Sequence, residues 1–259
     1  MIRKLFIVAG AGFVLSVACL SGAAALASKD MAAGGWNWSL VEHGDNIRFL
    51  KRTTAEAEPS VTRTLEWGGS KALSIDIPAE VIYSQSPTVS VSVTGPKSLT
   101  DRVRIDGDRL YLMDGADAQN VVNFKWGHDG FNVQTSDDDL KIVISAPEVE
   151  RFTVSGISDL DIKAYDRPSL ELTVSGTGDV DAVGRTQALK LDMSGTGNAD
   201  LEGLRTQDAD VTLSGTTSAR IAPTGKAMVT ASGMSSVDVK TLPKSLTSNI
   251  SGTATVNQE

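Results

Sequence analysis

Aspartates that recur at a fixed interval are the residues of this sequence with the clearest chemistry. Asp159 and Asp161 are followed by Asp179 and Asp181, and these by Asn198 and Asp200, in steps of 19–20 residues. Hard oxygen ligands suit Ca²⁺, so Asp159, Asp161, Asp179, Asp181 and Asp200 form a candidate metal site with calcium as the candidate cofactor. Paired carboxylates about 6.5–9.5 Å apart in a cleft would instead suit inverting glycoside hydrolysis. The plainer alternative is a solvated acidic face whose aspartates serve turns and solubility. Like charges that close repel by roughly 1 kcal/mol per pair in water. Something must offset this: raised pKa values, a bound cation, or Arg220 capping the column.

Other chemistries have less to stand on. His43 and His128 are the only histidines and lie in different contexts, which leaves neither a Ser-His-Asp triad nor a histidine metal cage. One cysteine, Cys19, excludes a disulfide framework and a cysteine zinc site. After Phe131 only Phe152 and Tyr165 are aromatic, so a sugar-processing cleft would lack its stacking platforms. The formal charge of −8 argues against nucleic acid, whose phosphates need clustered Lys and Arg. Trp126, His128 and Phe131 sit in an expected hairpin between Val121–Phe124 and Phe131–Val133. They are a candidate partner-binding tip, with packing over an open end of the fold as the alternative.

For residues some 20 positions apart to share a face, the chain must return to the same place once per repeat. Ser-Gly recurs at Ser155-Gly156, Ser175-Gly176, Ser194-Gly195, Ser214-Gly215, Ser232-Gly233 and Ser251-Gly252, 18–20 residues apart. Apolar and polar residues alternate before each pair, as in Phe152-Thr-Val154, and after it, as in Leu160-Asp-Ile162 and Ala254-Thr-Val256. Alternation of period 2 sends one set of side chains inward and the other outward. A repeat of this length fits one coil of a parallel β-helix. The glycine lets the chain turn, and the serines would bond rung to rung. The expected fold is therefore all-β, a right-handed parallel β-helix of about 19 residues per rung over 150–259. Its outward columns read Asp161, Asp181, Asp200, Arg220, Asp238, Thr255 and Asp159, Asp179, Asn198, Ser218, Ser236, Thr253. Strands between Val61 and Pro147, among them Leu73–Pro78, Val89–Val93 and a hairpin around Gly107-Asp108, are expected to cap one end.

The N-terminus reads differently. Arg3 and Lys4 precede an apolar run from Leu5 to Leu20, and Ala25-Leu-Ala27 supplies a small-x-small cleavage site, the layout of a secretory signal over 1–27. An uncleaved anchor is the alternative, as is a lipoprotein through Cys19, although Ser16 stands where such a motif wants Leu. Residues 28–60 show no sustained period and read as a loosely ordered leader, with Trp36 and Trp38 spaced to share a strand face.

Ala146-Pro-Glu-Val-Glu-Arg-Phe-Thr-Val-Ser-Gly156, with repeats such as Val174-Ser-Gly-Thr-Gly-Asp-Val-Asp181, resembles the GIN-domain family of auto-transporter adhesin heads. The resemblance runs from about Val61 onward and implies a β-helical, envelope-located protein without catalytic residues. An auto-transporter carries a C-terminal membrane β-barrel that this sequence lacks, so it is not expected to export itself. The expectation is a secreted, periplasmic or cell-envelope module, not an enzyme, that binds an envelope protein or surface glycan through an extended face. A carbohydrate-active β-helix enzyme and a calcium-binding surface protein are the alternatives. The weak cap after Val256 adds self-association through the C-terminal end rung.

Overall fold

The structure is a computed structural model that describes residues 36–43, 46–51, 59–113, 120–127, 130–135 and 140–258, with side chains described in 59–113 and 140–258. The signal reading of 1–27, Cys19 and His128 lie outside the described residues. In chain order the strands begin with β1 (Trp36–His43) and β2 (Asn46–Lys51), both inside the stretch expected to be a loose leader. Next come β3 (Ser60–Leu65), β4 (Ala72–Asp76), β5 (Ala79–Gln85) and β6 (Ser90–Pro96). A single helical turn, α1 (Lys97–Thr100), leads to the hairpin of β7 (Val103–Asp106) and β8 (Arg109–Leu112). The second expected hairpin is β9 (Asn120–Gly127) with β10 (Gly130–Thr135). After β11 (Lys141–Ala146), two long runs of extended backbone follow, β12 (Arg151–Thr177) and β13 (Val180–Pro223). The last strands are β14 (Lys226–Ala231), β15 (Ser236–Val239), β16 (Ser245–Ile250) and β17 (Thr255–Gln258).

The chain divides into two units. One comprises 1–57 and 117–136, where β10, β9, β1 and β2 pair antiparallel in that order. The other comprises 58–116 and 137–259 and holds a 13-stranded sheet.

That larger sheet is mixed and barrel-like, where the repeat alone led to the expectation of a parallel solenoid. From β4 and β5 through β17 the pairing is parallel, but β3 with β6, β6 with β11 and β7 with β8 run antiparallel. The reason lies upstream of the repeat. Short strands joined by tight turns, such as β7 and β8 around Gly107-Asp108, must reverse direction. Within the repeat each strand instead returns through a full circuit and lies parallel to its predecessor.

The parallel part is organised around stacked inward residues. Leu172 pairs with Leu191, Val174 with Met193, and Leu170 with Leu189; Val211 pairs with Val229 and Ala209 with Ala227. All are buried. Side-chain volume varies along the stack, from Leu170 and Leu189 through Ala209 and Ala227 to Leu246. Tyr83 meets Phe152 edge-on at 5.0 Å. Its hydroxyl donates to the Ala146 carbonyl at 2.8 Å, and burial pushes its pKa up to about 12. Strands β4 and β5 lie against Arg151–Ser155 and Ser158–Lys163, which makes them one more level of the stack with no Ser-Gly pair.

The Ser-Gly pairs fix the corners. Gly176 has φ +115, and a Cβ there would stand 2.3 Å from the Gly156 carbonyl oxygen. Backbone conformation and close approach both exclude a side chain. The serines do link level to level, through carbonyls and not through a chain of hydroxyls. Ser155 Oγ donates to Ile75 O at 3.2 Å, Ser214 Oγ to Met193 O at 3.3 Å and Ser232 Oγ to Leu213 O at 3.3 Å.

Candidate binding surfaces

Turn geometry decides which outward residues share a column. The strand that follows each corner starts a fixed step after its glycine, so Asp161 pairs with Asp181 and Arg220 with Asp238, as expected. The last level differs from expectation. Ser236 pairs with Thr255 and Asp238 with Asn257, so Thr253 and Thr255 fall two residues short of the columns assigned to them. The apolar triplet Ala254-Thr-Val256 looked like the missing strand, but Gly252, stacked on Gly233, sets the register instead.

The five aspartates do come onto one face, and four of them already hold a hydrogen bond or an ion pair. Asp159 Oδ1 accepts the Asp179 N–H at 3.0 Å. Asp179 Oδ1 accepts both the backbone N–H and the Nδ2 of Asn198 at 2.9 Å. Asp161 is paired with Lys163 at 3.0 Å and Asp200 with Arg220 at 3.2 Å. Asp181 is left over. Partial desolvation, then the fields of Asp161, Asp200, Asp179 and Asp159, push its pKa up. Among the described residues, no three acidic, histidine or cysteine side chains converge to enclose an ion. The column is therefore tied by side chain to backbone bonds at Asp159 and Asp179 and by ion pairs at Asp161 and Asp200.

Of the expected aromatic tip, Trp126 in β9 and Phe131 in β10 are backbone partners in the antiparallel register. His128 lies outside the described residues, as do the side chains of this hairpin.

A second surface was not picked out from the sequence. A groove of about 720 Å³ runs across the levels from Ala72 in β4 and Arg151 in β12, past Glu171, Lys190 and Asp210, to Met228 in β14 and Thr247 in β16. Seven strand levels at the sheet spacing make it roughly 29 Å long. Its rim charges alternate, and those of Arg151, Glu171 and Lys190 are linked. Arg151 Nε donates to Glu171 Oε2 at 2.8 Å, and Lys190 Nζ reaches Glu171 Oε1 and Asp192 Oδ2 at 3.1 Å each. The Arg151 bond first, then the Lys190 bond, holds the Glu171 carboxyl below its ordinary range. Leu170, Leu189, Ala209 and Ala227 lie beneath, and Met228 is 54% exposed. None of the lining residues is aromatic. The signal was present in the repeat. Arg151, Glu171, Lys190, Asp210, Met228 and Thr247 each stand five residues before a Ser-Gly glycine.

The larger unit is all-β and displays columns of outward side chains along a groove. The chain belongs to the family described as "Putative auto-transporter adhesin, head GIN domain", which matches residues 71–258. Among solved structures, a putative adhesin from Bacteroides fragilis superposes with a TM-score of 0.58 at 16% identity, covering 78% of this chain and 98% of that one. A putative adhesin from Parabacteroides merdae gives a TM-score of 0.48 at 15% identity, covering 77% and 96%. A putative lipid binding protein from Parabacteroides distasonis gives 0.40 at 13%, with the same coverage. At 16% identity the likeness to the Bacteroides fragilis protein is one of fold. No curated protein matches the chain in sequence.

Proposed function

We propose that this chain is a secreted cell-envelope module that holds an extended partner along the Arg151–Thr247 groove and catalyses no reaction. In this reading the parallel levels from β4 to β17 form a right-handed β-helix, and residues 1–27 are a cleaved signal that brings the chain across the inner membrane. Family membership and the fold support the adhesin-like reading. The observation that carries it is the groove itself, a long concavity whose rim offers donors and acceptors at every level. Among the described residues no helix is long and apolar enough to cross a membrane.

Of an envelope protein and a surface glycan, the groove favours a protein segment in extended form. A pyranose face is best held by an aromatic ring, and the lining has none. Alternating linked charges over buried aliphatic side chains suit a polypeptide, which carries amides and mixed side chains along its length.

A photo-crosslinking residue placed at Met228, compared with one at Asp181, tests this in cells. The Met228 position should give a discrete adduct with an envelope protein that the charge reversals Glu171→Lys and Lys190→Glu each abolish. Equal adducts from both positions, or adducts that survive both reversals, would overturn the groove as the site.

A further inference from the structure

The two ends of the larger sheet differ. At one end β6 runs antiparallel to the stack and β3 antiparallel to β6, and Thr100 in the adjoining α1 is fully buried. At the other end β16 has a single neighbour, β14, among the described strands. Along β16 the amides alternate. Ser245 N–H donates to Gly225 O at 3.3 Å and Ser251 N–H to Ala231 O at 2.9 Å, so the odd-numbered residues face β14. Leu246, Ser248 and Ile250 therefore direct their N–H and C=O groups away from the sheet. Ile250 is 45% exposed, whereas Ala231, its partner one level below, is 1% exposed.

From this edge we infer that the protein forms a two-fold dimer in which β16 pairs antiparallel with β16 of a second copy. Backbone geometry chooses the register. A two-fold axis at Ser248 sets Ser248 against its own copy and Leu246 against Ile250, so every outward amide finds a partner. Charge chooses a second copy over another molecule. A two-fold contact brings each charged group near its duplicate, which a chain of net charge −8 can tolerate only on a neutral face. Neither β16 nor β17 contains a charged residue. An open edge kept out of contact is normally guarded by lysine, proline or a bulge, and β16 has none of these. The inference stands on the strand edge and is independent of the groove.

Sedimentation velocity on the full chain across a range of concentrations tests it, with a monomer–dimer equilibrium expected. Ser248→Pro removes an N–H that the fold itself does not use, and Ser248→Lys sets a positive charge directly against its own duplicate at the axis. Both should sediment as monomers with unchanged circular dichroism. In a Cys19→Ser background, oxidised Ser248→Cys should give a cross-linked dimer, because directly opposed residues lie within disulfide reach. Asn249→Cys, which faces Thr247 of the second copy in this register, should not. A wild-type chain that stays monomeric, dimers that survive both substitutions, or equal cross-linking at both cysteines would each overturn the inference.

Discussion

Replacing corner glycines by alanine separates two reasons for their presence. Gly156 has φ +82 but nothing within 4 Å of the site a Cβ would occupy, so Gly156→Ala carries only the conformational cost, about 1–3 kcal/mol. Gly178 has no left-handed φ, yet its Cβ would stand 2.0 Å from the Ser158 carbonyl oxygen. Gly178→Ala therefore carries only the overlap, about 1–3 kcal/mol for forced backbone movement. Gly176 combines φ +115 with a 2.3 Å approach to Gly156 O, so its substitution should cost about 2–6 kcal/mol. Each variant regains about 0.4–1 kcal/mol through a less flexible unfolded chain. The assay is urea unfolding of the full chain, with melting points as a cross-check at about 2–4 °C per kcal/mol for a domain of this size. Equal losses for Gly156→Ala and Gly176→Ala would refute the claim that levels stack too closely for a side chain. A neutral Gly178→Ala would refute it as well.

Asp181 tests the acidic column. A carboxyl whose pKa is raised in the fold contributes stability that is fully present below the ordinary Asp range and lost as pH rises through the raised value. Asp181→Asn should raise stability at neutral pH and flatten that slope, read from urea midpoints between about pH 3 and about pH 7. Glu171 has the opposite sign: its depressed carboxyl stabilises above the ordinary Glu range, and that contribution fades as pH falls through the lowered value, so Glu171→Gln should lose stability at neutral pH. Thr217 Oγ1 is buried without a hydrogen-bond partner among the described residues, so Thr217→Val should gain about 1 kcal/mol in the same unfolding assay. Calorimetric titration of metal-free protein with millimolar calcium should give no specific heat, since Asp159, Asp161, Asp179 and Asp200 already serve N–H donors or cations.

How much of this the sequence disclosed follows from which features are local. Alternation and the Ser-Gly pairs are local, so the all-β class, the stacked levels and the pairing of Asp161 with Asp181 were all legible. The final register was not. Ala254-Thr-Val256 carries the same pattern as a true strand, and only the stacking of Gly252 on Gly233 shows that pairing begins two residues later. The antiparallel cap was hidden for a different reason. Strand β6 lies antiparallel between β3 and β11, the latter more than 40 residues distant, and alternation says nothing about a strand's direction or its neighbour. Strands β1 and β2 lie where no period was evident, and β9, the other neighbour of β1, is likewise far along the chain. The groove was missed because attention went to like charges. A column of alternating sign looks like ordinary surface until its members are aligned on the glycines.

That difference in sign pattern makes the two outward surfaces separable by experiment. Asp159, Asp161, Asp179 and Asp181 form a patch of one sign, partly offset by Lys163, and its field extends to about a Debye length, roughly 10 Å at 0.1 M salt and 3 Å at 1 M. A partner held there would be cationic, and its affinity would fall steeply as salt rises. In the groove, Arg151, Glu171 and Lys190 are linked at 2.8–3.1 Å, and Asp192 beside the lining holds Lys190 as well, so their fields cancel within a few ångströms. What remains is a fixed array of donors and acceptors over aliphatic side chains, which gives short-range contacts with little long-range attraction. Once the crosslinked partner is in hand, its affinity measured between about 0.05 M and about 0.5 M salt should change little, and Met228→Asp should weaken it at both ends of that range. A steep loss with salt, together with indifference to Met228→Asp, would move the binding surface from the groove to the aspartate column.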